Sequence, residues 1–242
     1  MVLRAILFAT LASSLPFAAR AHADENCEPV AEQSARNPDQ STLSVATVCD
    51  KPDLRTYVMR STAKDGRAVE KRVEVESEYA PTGGARLVDI DGDGYHEIEV
   101  RGMCGAGPNC EGEIYRTDSK SGQIELFFSG GYSELLVIDG YLVESGRASC
   151  CSWEYHAYRM QDRSAPMEYD NMDFMVQIGA DLDSEQEDAP ARCVFSRAVD
   201  GERQVIRPPG SDWLKLCEVY GDYHLTTPEQ ARAAEAAASA QE

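Results

Sequence analysis

The residues of this chain whose types and spacing could support chemistry lie in one short acidic loop, residues 89–97. Carboxylates occupy the first, third, fifth and ninth positions of this loop, and a glycine occupies the sixth. Ca²⁺ takes about six to eight oxygen ligands, and alternate residues of a tightly curled loop can all turn toward one ion. Acids placed this closely repel one another unless a cation neutralises them. The spacing therefore predicts a calcium site.

The predicted site is not an EF-hand. An EF-hand needs a bidentate acid at its twelfth position, and that position is Val100 here. Short apolar runs flank the loop on both sides, so we expect a strand-loop-strand site, with an ordinary acidic hairpin turn as the alternative. Mg²⁺ fits less well, because it prefers rigid octahedral geometry and keeps several waters. The predicted ligands are four carboxylates and one backbone carbonyl: Asp89, Asp91, Asp93, Tyr95 and Glu97.

This loop carries a family resemblance. The pattern Asp-x-Asp-x-Asp-Gly-x-x-Glu followed by Ile-x-Val resembles the FG-GAP or VCBS-type calcium loop of integrin-like β-propeller repeats, with Glu97 where an aspartate is usual. Roughly residues 80–160, including the Cys150-Cys151-Ser152-Trp153 strand, are similar to small periplasmic calcium-binding relatives of C-type lysozyme inhibitors. The resemblance implies a Ca²⁺ cofactor and a binding protein that inhibits a lysozyme-like cell-wall hydrolase.

The same resemblance suggests where such a partner would bind. Inhibitors of that type present a Ser-Gly-x-Tyr-like loop to the enzyme cleft. A partial match implies four partner-binding residues: Ser129, Gly130, Gly131 and Tyr132. A β-turn between Phe128 and Glu134 explains the same glycines, and this alternative stays open.

The sequence lacks the motifs that would indicate an enzyme. It contains no Gly-x-Ser-x-Gly, no Walker loop and no dinucleotide fingerprint. We therefore predict a non-enzymatic binding module. The alternative is a secreted hydrolase on a β scaffold that uses paired carboxylates, because such a pair leaves no trace in a sequence with 42 acids.

Residues 1–23 are typical of a cleaved signal peptide, with a basic start at Arg4, an apolar run and Ala21-His22-Ala23 as the cleavage site. The apolar run is too short to span a membrane, so the mature chain is expected in the periplasm or outside the cell, with no membrane span. Cleavage removes two basic residues and no acidic one, which changes the net charge from −19 to −21. Such an acidic chain repels nucleic acid and favours a cationic partner.

All eight cysteines follow the signal peptide, and an even number in an exported chain indicates disulfide bonds. Nearness in the chain favours Cys27 with Cys49, Cys104 with Cys110, and Cys193 with Cys217 across a hairpin. The adjacent Cys150 and Cys151 form either a vicinal bridge or bonds to separate partners.

The elements that would position the calcium loop are short strands. Alternating apolar and polar runs flank turn sequences such as Asp65-Gly66 and Asp139-Gly140, and Asp-Gly is the strongest local hairpin signal. The predicted fold is all-β, a meander of antiparallel hairpins arranged as a small β-propeller, with a β-sandwich as the alternative. Thr227-Pro228-Glu229-Gln230 predicts the start of a short C-terminal helix. We expect a polar lead-in at residues 24–40, one β domain at 41–225 and an Ala-rich helical tail at 226–242.

Overall fold

The computed structural model describes residues 27–51, 54–76, 84–105, 107–118, 121–160, 172–180 and 189–240. The predicted signal peptide at residues 1–23 lies outside them. Within these ranges the chain forms antiparallel strands in three sheets, followed by a short C-terminal α-helix. The all-β prediction is confirmed.

The first two sheets are meanders in which each strand pairs with the next strand of the chain. The first sheet contains β1 (Val30–Arg36), β2 (Thr42–Lys51), β3 (Leu54–Thr62) and β4 (Ala68–Glu76). The second contains β5 (Gly84–Val88), β6 (Glu97–Cys104), β7 (Cys110–Thr117) and β8 (Ile124–Tyr132). The acidic loop at residues 89–97 therefore joins the edge strand β5 to β6, as the strand-loop-strand prediction requires.

The third sheet runs in order from β9 to β14, and one further strand, β15, pairs in parallel with β13. Its strands are β9 (Glu134–Ile138), β10 (Tyr141–Ser149), β11 (Ser152–Arg159), β12 (Phe174–Gly179), β13 (Ala191–Val199), β14 (Glu202–Val205) and β15 (Tyr223–Leu225). A 3₁₀ helix, Ser211–Tyr220, packs on this sheet through Trp213, Leu216 and Cys217.

Two Asp-Gly turns have the backbone that the hairpin prediction requires, whereas at Asp65-Gly66 only the glycine has a positive φ, of 87°. Asp139 and Gly140 have φ values of 49° and 77°, and Asp200 and Gly201 have φ values of 52° and 83°. Two successive residues at positive φ give the turn whose twist matches that of the flanking strands. Aspartate and glycine are among the few residues that tolerate this conformation.

The second sheet lies between the other two. One of its faces contributes Ile98, Val100 and Tyr115 to a core shared with Leu43 and Tyr57 of the first sheet. Its opposite face contributes a second group that packs against the third sheet, because neighbouring strand residues point to opposite sides except where a β-bulge inserts Phe127 into β8. That group consists of Ile114, Phe127, Phe128 and Tyr132, packed against Leu142 and Tyr158. Propellers and layered sandwiches share such stacking, so the choice between them stays a prediction.

The N-terminal region differs from the expectation of a polar lead-in. Residues 30–36 form β1, which pairs with β2 although its own side chains are largely exposed. Its hydrogen bonds are made by the backbone, and a strand of this kind need not show apolar alternation. The Cys27–Cys49 disulfide ties the start of this segment to β2.

Three of the expected disulfides are present: Cys27–Cys49, Cys104–Cys110 and Cys193–Cys217. Cys217 lies in the 3₁₀ helix rather than in a hairpin, so the last bond joins that helix to β13. Cys150 and Cys151 are free, and neither of the bonds expected for them has formed. Three disulfides fit an exported protein in an oxidising compartment.

The C-terminal helix α1 (Pro228–Ser239) begins as predicted. The Thr227 side chain accepts a hydrogen bond from the backbone N–H of Gln230. The Gln230 side chain in turn accepts one from the backbone N–H of Thr227. None of the residues of α1 is buried. In the part of the chain that is described, no helix is both long and apolar enough to cross a membrane.

Candidate metal centre

The loop between β5 and β6 brings three carboxylates together. Asp89, Asp91 and Glu97 each offer an oxygen atom, and these oxygens lie within 4.8 Å of one another. Gly92 and Gly94 have φ values of 70° and 83°, a conformation that glycine adopts without strain. The two glycines let the chain curl so that acids separated along the sequence face a common point.

Glu97 is the most deeply placed of the three acids. It is the first residue of β6, and it is 0% exposed. Its Oε2 accepts a hydrogen bond of 3.1 Å from the Ile90 backbone, which closes the base of the loop. Burial raises the pKa of Glu97 to about 7, although the nearby Arg116 acts in the opposite direction. A cation would hold this carboxylate ionised.

Arg116, from β7, lies directly beneath the loop. Its Nε lies 2.9 Å from Oε1 of Glu97 and its Nη2 lies 2.9 Å from Oδ2 of Asp91. The guanidinium packs over the Phe127 ring, with 3.7 Å between its carbon and the ring centroid. One guanidinium opposes three carboxylates here, so the ionised cluster keeps an excess of negative charge that a second cation would neutralise.

One oxygen of this cluster has no hydrogen-bond partner. The Oδ1 atom of Asp91 is buried and accepts no hydrogen bond within the described residues, whereas Oδ2 is bound by Arg116. A buried polar atom left in this state costs roughly 1–3 kcal/mol, and more when it is charged. A hard cation bound by Oδ1 would remove that cost, so the residues present fit Ca²⁺.

The remaining predicted ligands are Asp93 and the backbone carbonyl of Tyr95. The Asp93 side chain lies outside the converging group, and its Oδ1 accepts a hydrogen bond of 2.8 Å from the Tyr95 backbone. The structure thus brings together three of the five predicted ligand residues. Ligation by Asp93 and by the Tyr95 carbonyl stays a prediction.

The loop is also fixed from the first sheet, which the sequence did not suggest. Asn37, in the turn between β1 and β2, accepts a hydrogen bond of 3.0 Å from the His96 backbone. Pro38 lies so close to Gly94 that a Cβ atom there would come within 3.2 Å of its ring. Arg116 was also missed, although a signal existed: it shares strand parity with Ile114 and so occupies an inward position.

The predicted partner-binding residues, Ser129 to Tyr132, form the end of strand β8. Ser129 and Gly131 are exposed, whereas Tyr132 is 0% exposed and donates a hydrogen bond of 2.9 Å to Oε1 of Glu99. Burial and the Glu99 carboxylate raise the pKa of the Tyr132 hydroxyl. The strand continues through both glycines, so the segment is not a turn between Phe128 and Glu134. Its role in binding stays a prediction, and most of the exposed surface of this segment belongs to Ser129 and Gly131.

A buried carboxylate in the third sheet holds this segment in place. Glu144 accepts hydrogen bonds from the Gly131 backbone at 3.0 Å and from the Tyr158 hydroxyl at 3.1 Å, and it lies 3.2 Å from Nδ1 of His156. Burial would raise the pKa of Glu144, but the bonds from His156, Tyr158 and Gly131 outweigh it and lower the pKa. The alternative function named in the sequence analysis, hydrolysis by a pair of carboxylates, stays a prediction.

Comparisons with known proteins give little similarity. No family model matches the chain, and no curated protein matches it. One similar solved structure is described as the structure of a Xanthomonas type IV secretion system related protein, with 16% sequence identity and a TM-score of 0.45. The match covers 73% of this chain and 93% of the other. Neither a fold nor a function is carried over from it.

Proposed function

We propose that this chain is an exported calcium-binding protein that acts as a binding module and not as an enzyme. The observation that carries the calcium proposal is the Oδ1 atom of Asp91, which is buried without a hydrogen-bond partner among the described residues. It belongs to a group of three carboxylates that outnumber the single guanidinium beside them. A divalent cation would satisfy the oxygen and neutralise the excess charge together.

The chemistry of the donors favours Ca²⁺ over other metals. The group offers only oxygen atoms, without a cysteine or histidine ligand, which argues against Zn²⁺. A loop that contains two glycines adapts to the irregular coordination of Ca²⁺ more readily than to the strict octahedron of Mg²⁺. Backbone carbonyls and water would complete the coordination.

The site would act mainly on the stability of this region. Glu97 begins β6, Arg116 lies in β7, and Asn37 belongs to the turn of the first sheet. An ion held by the loop would therefore reinforce contacts among three strands and between two sheets. This arrangement supports a structural role for the ion.

Calorimetric titration of the metal-free protein with CaCl₂ tests the proposal, with MgCl₂ as the comparison. We expect binding of one Ca²⁺ per chain and a higher melting temperature in CaCl₂ than in EDTA. Mg²⁺ at the same concentration should give a much smaller shift. An unchanged melting temperature and the absence of binding heat would refute the calcium proposal.

We propose further that the partner is a cationic cell-wall hydrolase of the lysozyme type, as the family resemblance implies. The net charge of −19 supports a basic partner. So does the partly exposed end of the β7–β8 pair, where Glu113 lies opposite Ser129 and Glu111 lies opposite Gly131. Acids around the exposed part of the predicted contact segment would attract a basic enzyme and raise its association rate.

A turbidity assay tests the inhibitory role. Excess purified protein should slow the lysis of cell-wall suspensions by a basic lysozyme. Glu111→Lys should weaken inhibition, whereas Glu202→Lys, an equal charge change on the exposed part of β14, should have little effect. Full lytic rates across several basic cell-wall hydrolases would refute this part of the proposal without affecting the calcium site.

A further inference from the structure

Cys150 and Cys151 form the two-residue tip of the hairpin between β10 and β11. Ser149 and Ser152 pair across the strands, so the two cysteines are the central residues of the turn. Cys150 is exposed and Cys151 is partly exposed. The other six cysteines of the chain are joined in three disulfides, so this pair is its remaining source of thiol chemistry.

Neighbouring groups hold the backbone of this turn. Arg147 donates through Nη2 to the Cys150 carbonyl at 2.5 Å and through Nε to the Ser149 carbonyl at 3.0 Å. The Cys151 backbone donates to the Ser149 hydroxyl at 3.2 Å, and its carbonyl accepts from the Ala180 backbone at 3.1 Å. The two thiols are therefore presented side by side from a fixed turn.

The two side chains also contact each other. A hydrogen bond between the thiols raises the pKa of Cys151, and the nearby Arg147 acts in the opposite direction. Cys150 is the more exposed of the two, so it is the thiol that a reagent from solvent meets first. Cys151 is then in position to attack any sulfur attached to Cys150.

A groove beside the turn gives a reagent access to both sulfurs. It has a volume of about 520 Å³, and both cysteines line it. The rest of its lining is mostly apolar and small, with one acid and one aromatic residue: Ala180, Ala189, Pro190, Ala191, Tyr220 and Asp222. A peptide-sized disulfide could therefore reach this turn from solvent.

We propose that Cys150 and Cys151 are a redox-active dithiol that takes a disulfide donor as its oxidant and closes to a vicinal disulfide. The Cys150 thiolate attacks one sulfur of the donor, which breaks the donor bond, forms a mixed disulfide and releases one thiol. The Cys151 thiolate then attacks the Cys150 sulfur and releases the second thiol. The protein loses two hydrogens and gains one S–S bond, while the donor disulfide is reduced to two thiols.

Peptide mapping of the whole protein tests this proposal, because cleavage after Arg147 and Arg159 gives one peptide, residues 148–159, with both cysteines and no others. The native chain is incubated with reduced glutathione or with glutathione disulfide, then acid-quenched, alkylated with N-ethylmaleimide and digested. After reduced glutathione we expect two maleimide groups on this peptide. After glutathione disulfide we expect neither maleimide nor glutathione, and a mass lower by two hydrogens than that of the dithiol.

Single substitutions identify the order of the steps. Cys151→Ser should leave one stable glutathione group on Cys150, because the second attack is lost, and Cys150→Ser should acquire its glutathione group more slowly. The outcomes against the proposal are observed on the native protein, so they do not depend on the folding of a variant. Three results would contradict the proposal: two glutathione groups on the wild-type peptide, a cross-link from this peptide to another one, or a dithiol that persists in glutathione disulfide.

Discussion

The Nε atom of Arg116 lies 2.9 Å from Oε1 of Glu97, and the two side chains are 4% and 0% exposed. This ion pair is one of the few in the described structure that water does not reach. The same guanidinium also binds Asp91. Arg116 thus links strand β7 to two acids of the loop and offsets part of their negative charge.

Replacing Arg116 should destabilise the metal-free protein strongly. Arg116→Met keeps apolar contact with the Phe127 ring but leaves Glu97 and Asp91 without a cation. Breaking a buried pair from one side typically costs about 3–5 kcal/mol. Urea unfolding in EDTA measures the loss, and CaCl₂ should recover more stability in this variant than in the wild type. Arg203→Met, in an exposed part of β14, is the control and should change the free energy of unfolding by less than about 0.5 kcal/mol.

The raised pKa of Glu97 should make the metal-free protein less stable as the pH rises. Between its ordinary pKa of 4.5 and its folded value of about 7, the folded state holds a proton that the unfolded chain has released. The free energy of unfolding therefore falls across this window, by up to roughly 3 kcal/mol at its upper end. If the loop binds Ca²⁺ as proposed, CaCl₂ should oppose the loss, since a bound ion would stabilise the ionised carboxylate.

Substitution of Glu97 separates this effect from the titration of other groups. Glu97→Gln removes the titrating carboxyl group, so it should flatten the slope of unfolding free energy against pH. Urea unfolding in EDTA from about pH 4.5 to 8 measures this slope. Glu125→Gln changes an exposed carboxylate of β8 in the same way and should leave the slope as it is in the wild type. Equal slopes for wild type and Glu97→Gln would show that Glu97 does not titrate in this range.

Two aspartates of the loop should differ in their contribution to calcium binding. Asp91→Asn removes the charge from the oxygen that has no hydrogen-bond partner and should weaken Ca²⁺ binding by about tenfold or more in calorimetry, because Ca²⁺ affinity depends on the number of charged ligands. Asp93→Asn should weaken it by less than about threefold. An equal loss at both positions would instead support the larger ligand set predicted from the sequence.

The adjacent glycines of β8 should respond differently to a methyl group. A Cβ atom on Gly130 would overlap Oε1 of Glu144 and lie 2.7 Å from the Phe128 ring, whereas one on Gly131 meets nothing within 4 Å. Overpacking of this kind costs about 1–3 kcal/mol. Thermal unfolding should therefore show a clear loss for Gly130→Ala and almost none for Gly131→Ala. Similar melting temperatures for the two variants would contradict the packing described for this strand.

Local features of the sequence were sufficient to predict much of the fold. The hairpins followed from turn sequences such as Asp139-Gly140, because positive φ at both turn residues restricts the amino acids that fit. The capping box at Thr227 and Gln230 depends on residues three positions apart. The three disulfides join cysteines close along the chain. All these features depend on interactions within short segments, which a linear sequence displays directly.

What the sequence by itself determined about this protein is therefore its all-β class, its hairpin turns and the acidic loop between two strands. Only the tertiary structure decided that Arg116 lies under that loop, that Tyr132 points into the protein, and that Asp93 is not among the converging acids. These placements depend on how three sheets stack, and stacking brings together residues far apart in the chain. Strand alternation fixes which face a side chain occupies, but the partner it meets there is set by the neighbouring sheet.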